Sequence, residues 1–258
     1  MKNSLNLILC QVSFKPSEID LTKIKIWLEK EDLKERFSGF LCNWNSIFHS
    51  YTNNEIAVIV YDSEPVGFMT WQAGDKDAKI QIAEIKPGFR KKGLGKILAE
   101  NVFDYLRKLN VAVVYLHCQP PESESAWKKM GFLEFPAFAD MEHYNNKEEG
   151  RHLYIPLLDC AENNQIEKST ETLSLWPVES YMANKVPAQW NWNLEYIPGT
   201  RILVKPIIFP AKYKWNLSWE IDGLIIKNRQ IKSFGRSEIH FNCFLILSEL
   251  PLAIETSV

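Results

Sequence analysis

The sequence predicts an α/β domain over residues 1–158 followed by a smaller, mostly β domain over residues 159–258. Three observations carry this reading. A strand, helix, strand unit spans residues 79–118 and calls for a parallel strand pair. The composition changes after Leu158, where a polar stretch gives way to a segment crowded with tryptophan. With 258 residues, the chain also exceeds the roughly 100–200 residues of a usual single domain.

Residues 5–14 alternate enough for a first strand, and Ser17-Glu18-Ile19-Asp20 supplies a helix start ahead of Ile24, Ile26, Trp27 and Leu28. A second helix is expected over 33–49, where Phe37, Phe40, Leu41, Trp44, Ile47 and Phe48 recur near helical spacing. The β-rich runs 55–61 and 66–72 flank Asp62-Ser63-Glu64-Pro65 and so form a hairpin, and 79–85 continues the sheet. Pro87-Gly88 ends that strand. Over 95–109, Ile97, Leu98, Val102, Phe103, Leu106 and Leu109 fall on one helical face, and a buried strand at 111–118 follows after Asn110 alone. A short helix over 123–130 stops at Gly131, and strands at 132–135 and 152–158 are joined by a long polar loop. From 159 to about 174 the chain reads as a linker. Beyond it Trp176, Trp190, Trp192, Trp215 and Trp219 accompany strand-like runs at 201–209, 215–226 and 239–247, broken by Gly and Pro. Core packing is the expected role of each of these tryptophans.

Composition bounds the function. Hydrophobic residues at 46% and charged residues at 24% describe a globular chain that buries a core. Thirty Lys plus Arg against 32 Asp plus Glu leave a net charge of -2, with the same balance in both parts: 20 against 21 through residue 158, then 10 against 11. No global basic field therefore recommends a nucleic-acid partner. The longest apolar runs fall far short of the roughly 18 residues that span a bilayer, so no membrane association is expected. Residues 7–10 lack, at Leu9, the small residue that a lipoprotein cleavage box requires, and a strand accounts for them. Cys10, Cys42, Cys118, Cys160 and Cys243 are odd in number and never form CxxC, which indicates neither a disulfide framework nor a zinc site. Reduced thiols and a cytoplasmic location are expected, with no metal.

The informative stretch runs Ala83-Glu84-Ile85-Lys86-Pro87-Gly88-Phe89-Arg90-Lys91-Lys92-Gly93-Leu94-Gly95-Lys96. It is a strand, a turn and a glycine-containing loop entering a helix, where free backbone N–H groups and the helix dipole favour a phosphate. It contains neither GxxxxGK[ST] nor GxGxxG. Arg90-x-x-Gly93-x-Gly95 resembles instead the acyl-CoA pyrophosphate loop of the GNAT superfamily of N-acetyltransferases. Ile85-Lys86-Pro87 before the loop, the helix and strand after it, and Trp127-Lys128-Lys129-Met130-Gly131-Phe132 extend the likeness over residues 5–158; none is found for 159–258.

The resemblance implies a mixed sheet flanked by helices, whose strands at 79–85 and 111–118 part to admit the pantetheine arm of acetyl-CoA. It implies a cosubstrate site at Ile85, Lys86, Arg90, Lys91, Lys92, Gly93, Leu94, Gly95 and Lys96, with main-chain N–H groups near Ile85 and Lys86 facing the thioester oxygen. It further implies direct attack of an amine on the thioester, which needs a base. Glu84 and His117 are the candidates; the competing readings are a solvated strand residue and a hydrogen-bonded core histidine. A β-bulge usual in the family would decide which face Glu84 occupies. Where many members carry a tyrosine acid this chain has Trp127, whose indole is no useful acid, so Tyr144 or Tyr115, water, or unassisted thiolate departure takes its place.

The loop 134–149 holds Glu134, Asp140, Glu142, Glu148 and Glu149 against Lys147, which suits a cationic amine acceptor or is a solvated polar loop. The expected function is transfer of an acetyl group from acetyl-CoA to a primary amine of a small molecule or protein. The alternative is a degenerate acyl-CoA-binding regulatory protein. Residues 159–258 are expected to fold separately, to govern acceptor or partner choice, and to offer a surface for a protein partner or a homodimer.

Overall fold

The computed structural model of the protein describes residues 9–34, 40–136, 151–164, 170–235 and 239–251. The chain divides into two units, one of Met1–Leu133 with His152–Leu157, the other of Glu134–Arg151 with Leu158–Val258. Among the described residues no helix is long and apolar enough to cross a membrane.

In the first unit, β1 (Cys10–Ser13) leads to α1 (Glu18–Lys34). A capping box starts this helix: the Asp20 N–H donates to Ser17 Oγ at 3.2 Å and the Ser17 N–H to Asp20 Oδ2 at 3.0 Å. The second helix differs from expectation. α1 runs on to Lys34 with Leu33 on its solvent face at 85% exposure, Phe40–Asn43 is a 3-10 turn, and α2 covers only Trp44–Thr52. Apolar spacing alone did not separate the end of one helix from the start of the next.

The strands β2 (Ile56–Tyr61) and β3 (Glu64–Ala73) form the hairpin. Its turn is shorter than expected, because Asp62 and Ser63 both take positive φ, 49° and 63°, as the twist of a two-residue hairpin loop requires. Pro65 sits inside the ladder opposite Val60, next to a register shift where its missing N–H is tolerated. Then come β4 (Asp77–Ile85), α3 (Leu94–Lys108), β5 (Val113–Cys118), α4 (Glu124–Lys129), β6 (Leu133–Glu134) and β7 (Arg151–Pro156). The sheet order is β1-β2-β3-β4-β5-β7-β6, with β4 and β5 parallel and β1 to β4 antiparallel.

Helices cover both faces of this sheet. Leu94, Leu98, Val102, Phe103 and Leu106 of α3 bury against Ile59, Met69, Trp71, Ile80 and Leu116. Leu21, Ile24, Trp27 and Leu28 of α1, with Ile47 of α2, bury against Ile56, Val58, Phe68 and Ile82 on the other face.

In the second unit, β8 (Glu171–Trp176), β9 (Trp190–Asn193), β11 (Asn216–Ile221) and β12 (Leu224–Gln230) form an antiparallel sheet in the order β12-β11-β8-β9. The short α5 (Ser180–Ala183) lies between β8 and β9 in sequence. A second sheet takes the order β10-β14-β13, from β10 (Ile202–Pro210), β13 (His240–Phe241) and β14 (Phe244–Glu249). The run expected over 215–226 is two strands turning at Asp222-Gly223, where φ is 48° and 80°. The tryptophans do pack in a core: Trp190 stacks on Trp215 with centroids 5.3 Å apart, and Trp190 and Trp192 flank Phe209.

The expected linker is a correction. Residues 171–176 are a strand whose Leu173 and Leu175 turn inward, and the Ala161 and Asn164 N–H groups bond to Pro206 O at 2.9 Å and Asn191 O at 2.6 Å. Glu171 hid this strand because a carboxylate stands at a core position. Arg201 neutralises it through Nη2 at 2.6 Å and Nη1 at 2.9 Å, with Tyr196 OH at 2.6 Å and Trp219 Nε1 at 2.7 Å completing its shell. Burial alone would raise the Glu171 carboxyl, yet these bonds outweigh it and hold the group below the usual range. A lowered folded-state value contributes stability that is fully present above the ordinary carboxylate range and is lost as pH falls from that range through the folded-state value. Arg201→Met leaves a buried, unpaired carboxylate and should cost about 3–5 kcal/mol. Urea unfolding followed by tryptophan fluorescence should show an earlier transition; an unchanged midpoint would mean the cluster contributes little.

Candidate active site

β4 and β5 run paired from Asp77 and Val113 only as far as Ile80 and Leu116. Beyond that point the strands part. A cleft of about 840 Å³ opens there, lined by Gln81 to Glu84 of β4, Leu116 and His117 of β5, Trp127 of α4, and Asn43, Ser46, Arg90 and Ser123.

The parting coincides with a β-bulge. Thr70 lies opposite Ile82 and Trp71 opposite Ile80, so Gln81 is an extra residue on β4, and such an insertion bends its strand and sharpens the twist. The bulge also exchanges the faces. Ala78 and Ile80 pack on the α3 side, while Ile82, two residues on, packs with Ile24, Trp27 and Phe68 on the α1 side. Glu84, opposite Phe68, shares that second face with Glu31 of α1. On β5, Val114, Leu116 and Cys118 join the α3-side core, which turns His117 to the face that Glu84 occupies.

Strand alternation fixes the main-chain groups as well. The Lys86 N–H donates to Val66 O at 2.9 Å, so residues 84 and 86 bond toward β3 while Ala83 and Ile85 present N–H and C=O to the cleft edge. The Ile85 carbonyl accepts from Arg90 Nε at 2.8 Å on that edge. Lys86 is thus unavailable as a donor to a thioester oxygen, which corrects that part of the expectation. No β5 residue pairs with β4 beyond Ile80, so the Ala83 N–H faces the cleft on that edge.

Glu84 is 10% exposed. Burial pushes its carboxyl above the ordinary range; the Arg90 guanidinium, with Nη2 2.7 Å from Glu84 Oε1, and the Ile85 N–H pull it back, while Glu31 adds to the rise. His117 lies beside His152 of β7 with ring centroids 4.9 Å apart. Trp127 packs edge-on against Phe132 at 5.2 Å and forms part of the cleft wall. Tyr115 does not line the cleft, and Tyr144, with Asp140, Glu142, Glu148 and Glu149, lies outside the described residues. Of the aromatic residues expected on the second helix, Phe40 lines the cleft, Trp44 packs beside the α1-side core, and Phe37 is outside the described residues.

One polar group was missed. Ser123 Oγ lines the cleft, donates to Pro120 O at 2.8 Å and lies 3.1 Å from Cys118 Sγ. In the sequence it read only as a helix start, and no local pattern says that its hydroxyl meets the end of β5.

The loop after β4 passes through a 3-10 turn at Pro87–Phe89 and enters α3 through Gly93 at φ 86°. A Cβ on Gly93 would meet nothing within 4 Å, and one on Gly95 only Ile85 Cγ1 at 3.7 Å. Internal packing therefore does not demand these glycines; the backbone conformation demands the first, and the second leaves open floor at the helix start. Among the described residues, the N–H groups from Lys91 to Lys96 make no backbone hydrogen bond outside the helix's own ladder. Leu94 offers only its N–H, since its side chain is in the core. Lys92 Nζ lies over the Phe89 ring at 5.3 Å and Lys96 pairs with Glu100 at 3.6 Å. Consecutive N–H groups at the start of a 15-residue helix, with ammonium groups around them, fit a pyrophosphate.

Residues 21–132 match the family described as Acetyltransferase (GNAT) family. A search of curated proteins finds no match. Among solved structures the chain is similar to Ard1 from Thermoplasma volcanium, at TM-score 0.45 and 18% identity over 58% of this chain and 99% of that one. It is similar to the ribosomal-protein-S18-alanine N-acetyltransferase from Escherichia coli, at TM-score 0.44 and 17% identity over 61% and 99%. A third is PaiA N-acetyltransferase from Thermoplasma acidophilum in complex with coenzyme A, at TM-score 0.43 and 18% identity over 57% and 98%.

Proposed function

The N-terminal domain belongs to the GNAT family of acetyltransferases, and from that premise we propose that the protein moves an acetyl group from acetyl-CoA to a primary amine. The observation that supports this best is the pairing of two neighbouring features. The loop that follows β4 enters α3 with a run of N–H groups that suits a pyrophosphate, and the bulge in β4 turns a buried carboxylate into the adjoining cleft.

Bound acetyl-CoA supplies the activated acetyl group. The chain does the rest. Lys91 to Lys96 hold the pyrophosphate through main-chain N–H groups, Ala83 N–H faces the thioester oxygen where charge develops, and Glu84 takes the proton from the attacking amine. The Trp127 indole is no useful acid, so the thiolate, whose ordinary pKa is about 8.5, leaves unassisted.

Thiolate release from acetyl-CoA, followed with a thiol reagent across a panel of polyamines, aminoglycosides, amino acids and peptide amino termini, tests the reading. Release that depends on one class of amine is the expected result. Tight coenzyme A binding with no release for any amine would favour an acyl-CoA-binding regulatory protein instead.

A further inference from the structure

Arg90 opens the loop motif, and by resemblance its side chain belongs to the cosubstrate. Its geometry directs it elsewhere. The Arg90 N–H bonds Pro87 O at 3.2 Å, so the open run of N–H groups begins one residue later. The guanidinium turns back along β4: Nε donates to Ile85 O at 2.8 Å, and Nη2 reaches Glu84 Oε1 at 2.7 Å and Glu31 Oε1 at 3.4 Å. Its main-chain N–H and its Nε and Nη2 groups are therefore engaged on the protein.

We propose that Arg90 is a positioning residue for the base rather than a phosphate ligand: it bridges the last carbonyl of β4 to Glu84 and Glu31 and holds Glu84 ionised and aimed into the cleft. The inference rests on the acetyl-transfer reading above. A planar guanidinium suits the task because the fork can satisfy a carbonyl and a carboxylate in different directions at once, which a single ammonium cannot.

The charges facing Glu84 decide what Arg90 does. From α1 comes Glu31, which disfavours a second negative charge; from the loop comes Arg90; from β5 comes His117, across the cleft. Lys79 and Cys42 line the same cleft. With Arg90 gone, burial and Glu31 would both favour the protonated carboxyl, and a protonated Glu84 cannot accept the amine proton. In the reaction the amine nitrogen bonds the acetyl carbon, the carbon–sulfur bond breaks with its electron pair on sulfur, and the proton passes from nitrogen to Glu84 Oε. That transfer requires an empty acceptor site, which the bridge maintains.

The test uses Arg90→Met and, as a charge-retaining partner, Arg90→Lys in the full-length protein. Calorimetry with coenzyme A should give affinities within about threefold of the parent for both. The Glu84 side-chain carboxyl, followed by carbon NMR and assigned through Glu84→Gln, should titrate at higher pH in Arg90→Met and close to the parent in Arg90→Lys. In turnover, the acid limb of the kcat/KM profile should move upward in Arg90→Met, while Arg90→Lys should lower kcat at every pH with the limb in place. An unmoved Glu84 titration, or a tenfold loss of coenzyme A affinity in both variants, overturns the assignment. The NMR titration needs no acceptor, so a failure of acetyl transfer would be visible separately from a failure of this bridge.

Discussion

Glu84→Gln should lower turnover on a high-pKa amine by about 10²–10⁴, the usual loss when a general base is removed, while leaving coenzyme A affinity nearly intact. The amide keeps the size of the carboxylate and an oxygen for Arg90, so β4 and its bulge should persist. What it loses is the ability to take a proton. The deficit should therefore appear in kcat rather than in the KM for acetyl-CoA, and it should lessen for amines already neutral at the assay pH. His117→Ala is the discriminating control, because His117 occupies the same face across the cleft. Full activity in Glu84→Gln with none in His117→Ala would transfer the role to the histidine. Trp127→Phe, which keeps the edge-on packing against Phe132, should retain measurable turnover; an inactive variant would place the indole N–H in the proton path.

The parts of this site that the sequence disclosed are those governed by local chemistry. Pro87 and Gly93 announce a turn and a helix start because few other residues tolerate those backbone conformations. The bulge at Gln81 was not legible. Ala78, Ile80 and Ile82 look like one uninterrupted alternation, and only the packing of Ile80 under α3 and of Ile82 under α1 shows that the register has shifted. Glu84 could thus be named a base from its place on the strand, but its face depended on residues 60 or so positions away in α1. Arg90 poses the same problem in reverse. Its motif position pointed to a phosphate, and the acceptors that engage it, Ile85 O, Glu84 and Glu31, are set by tertiary structure. In the second unit, Glu171 disguised a core strand, since a buried carboxylate makes sense only once Arg201, Tyr196 and Trp219 are brought to it.

Gly93→Asp should remove most of the affinity for coenzyme A, by about tenfold to a hundredfold or more in calorimetric titration. The position isolates charge from shape. Gly93 adopts φ 86°, a left-handed conformation that Asp and Asn tolerate better than most residues, and a Cβ there meets nothing within 4 Å. The substitution therefore leaves α3 and its buried face of Leu94, Leu98 and Val102 in place. It sets a carboxylate among the N–H groups of Lys91 to Lys96, where that carboxylate competes for donors each worth about 1.5–3 kcal/mol to a charged acceptor and repels the pyrophosphate. Gly93→Asn carries the same shape and the same backbone cost without the charge, so it should keep far more affinity. The gap between the two variants should narrow as ionic strength rises, because the repulsion acts at a solvent-exposed helix start and is screened by salt. Equal losses in Asp and Asn would assign the effect to backbone strain at the helix start. Parent-like binding in Gly93→Asp would mean that the pyrophosphate lies elsewhere and that the open N–H groups at the start of α3 do not hold it.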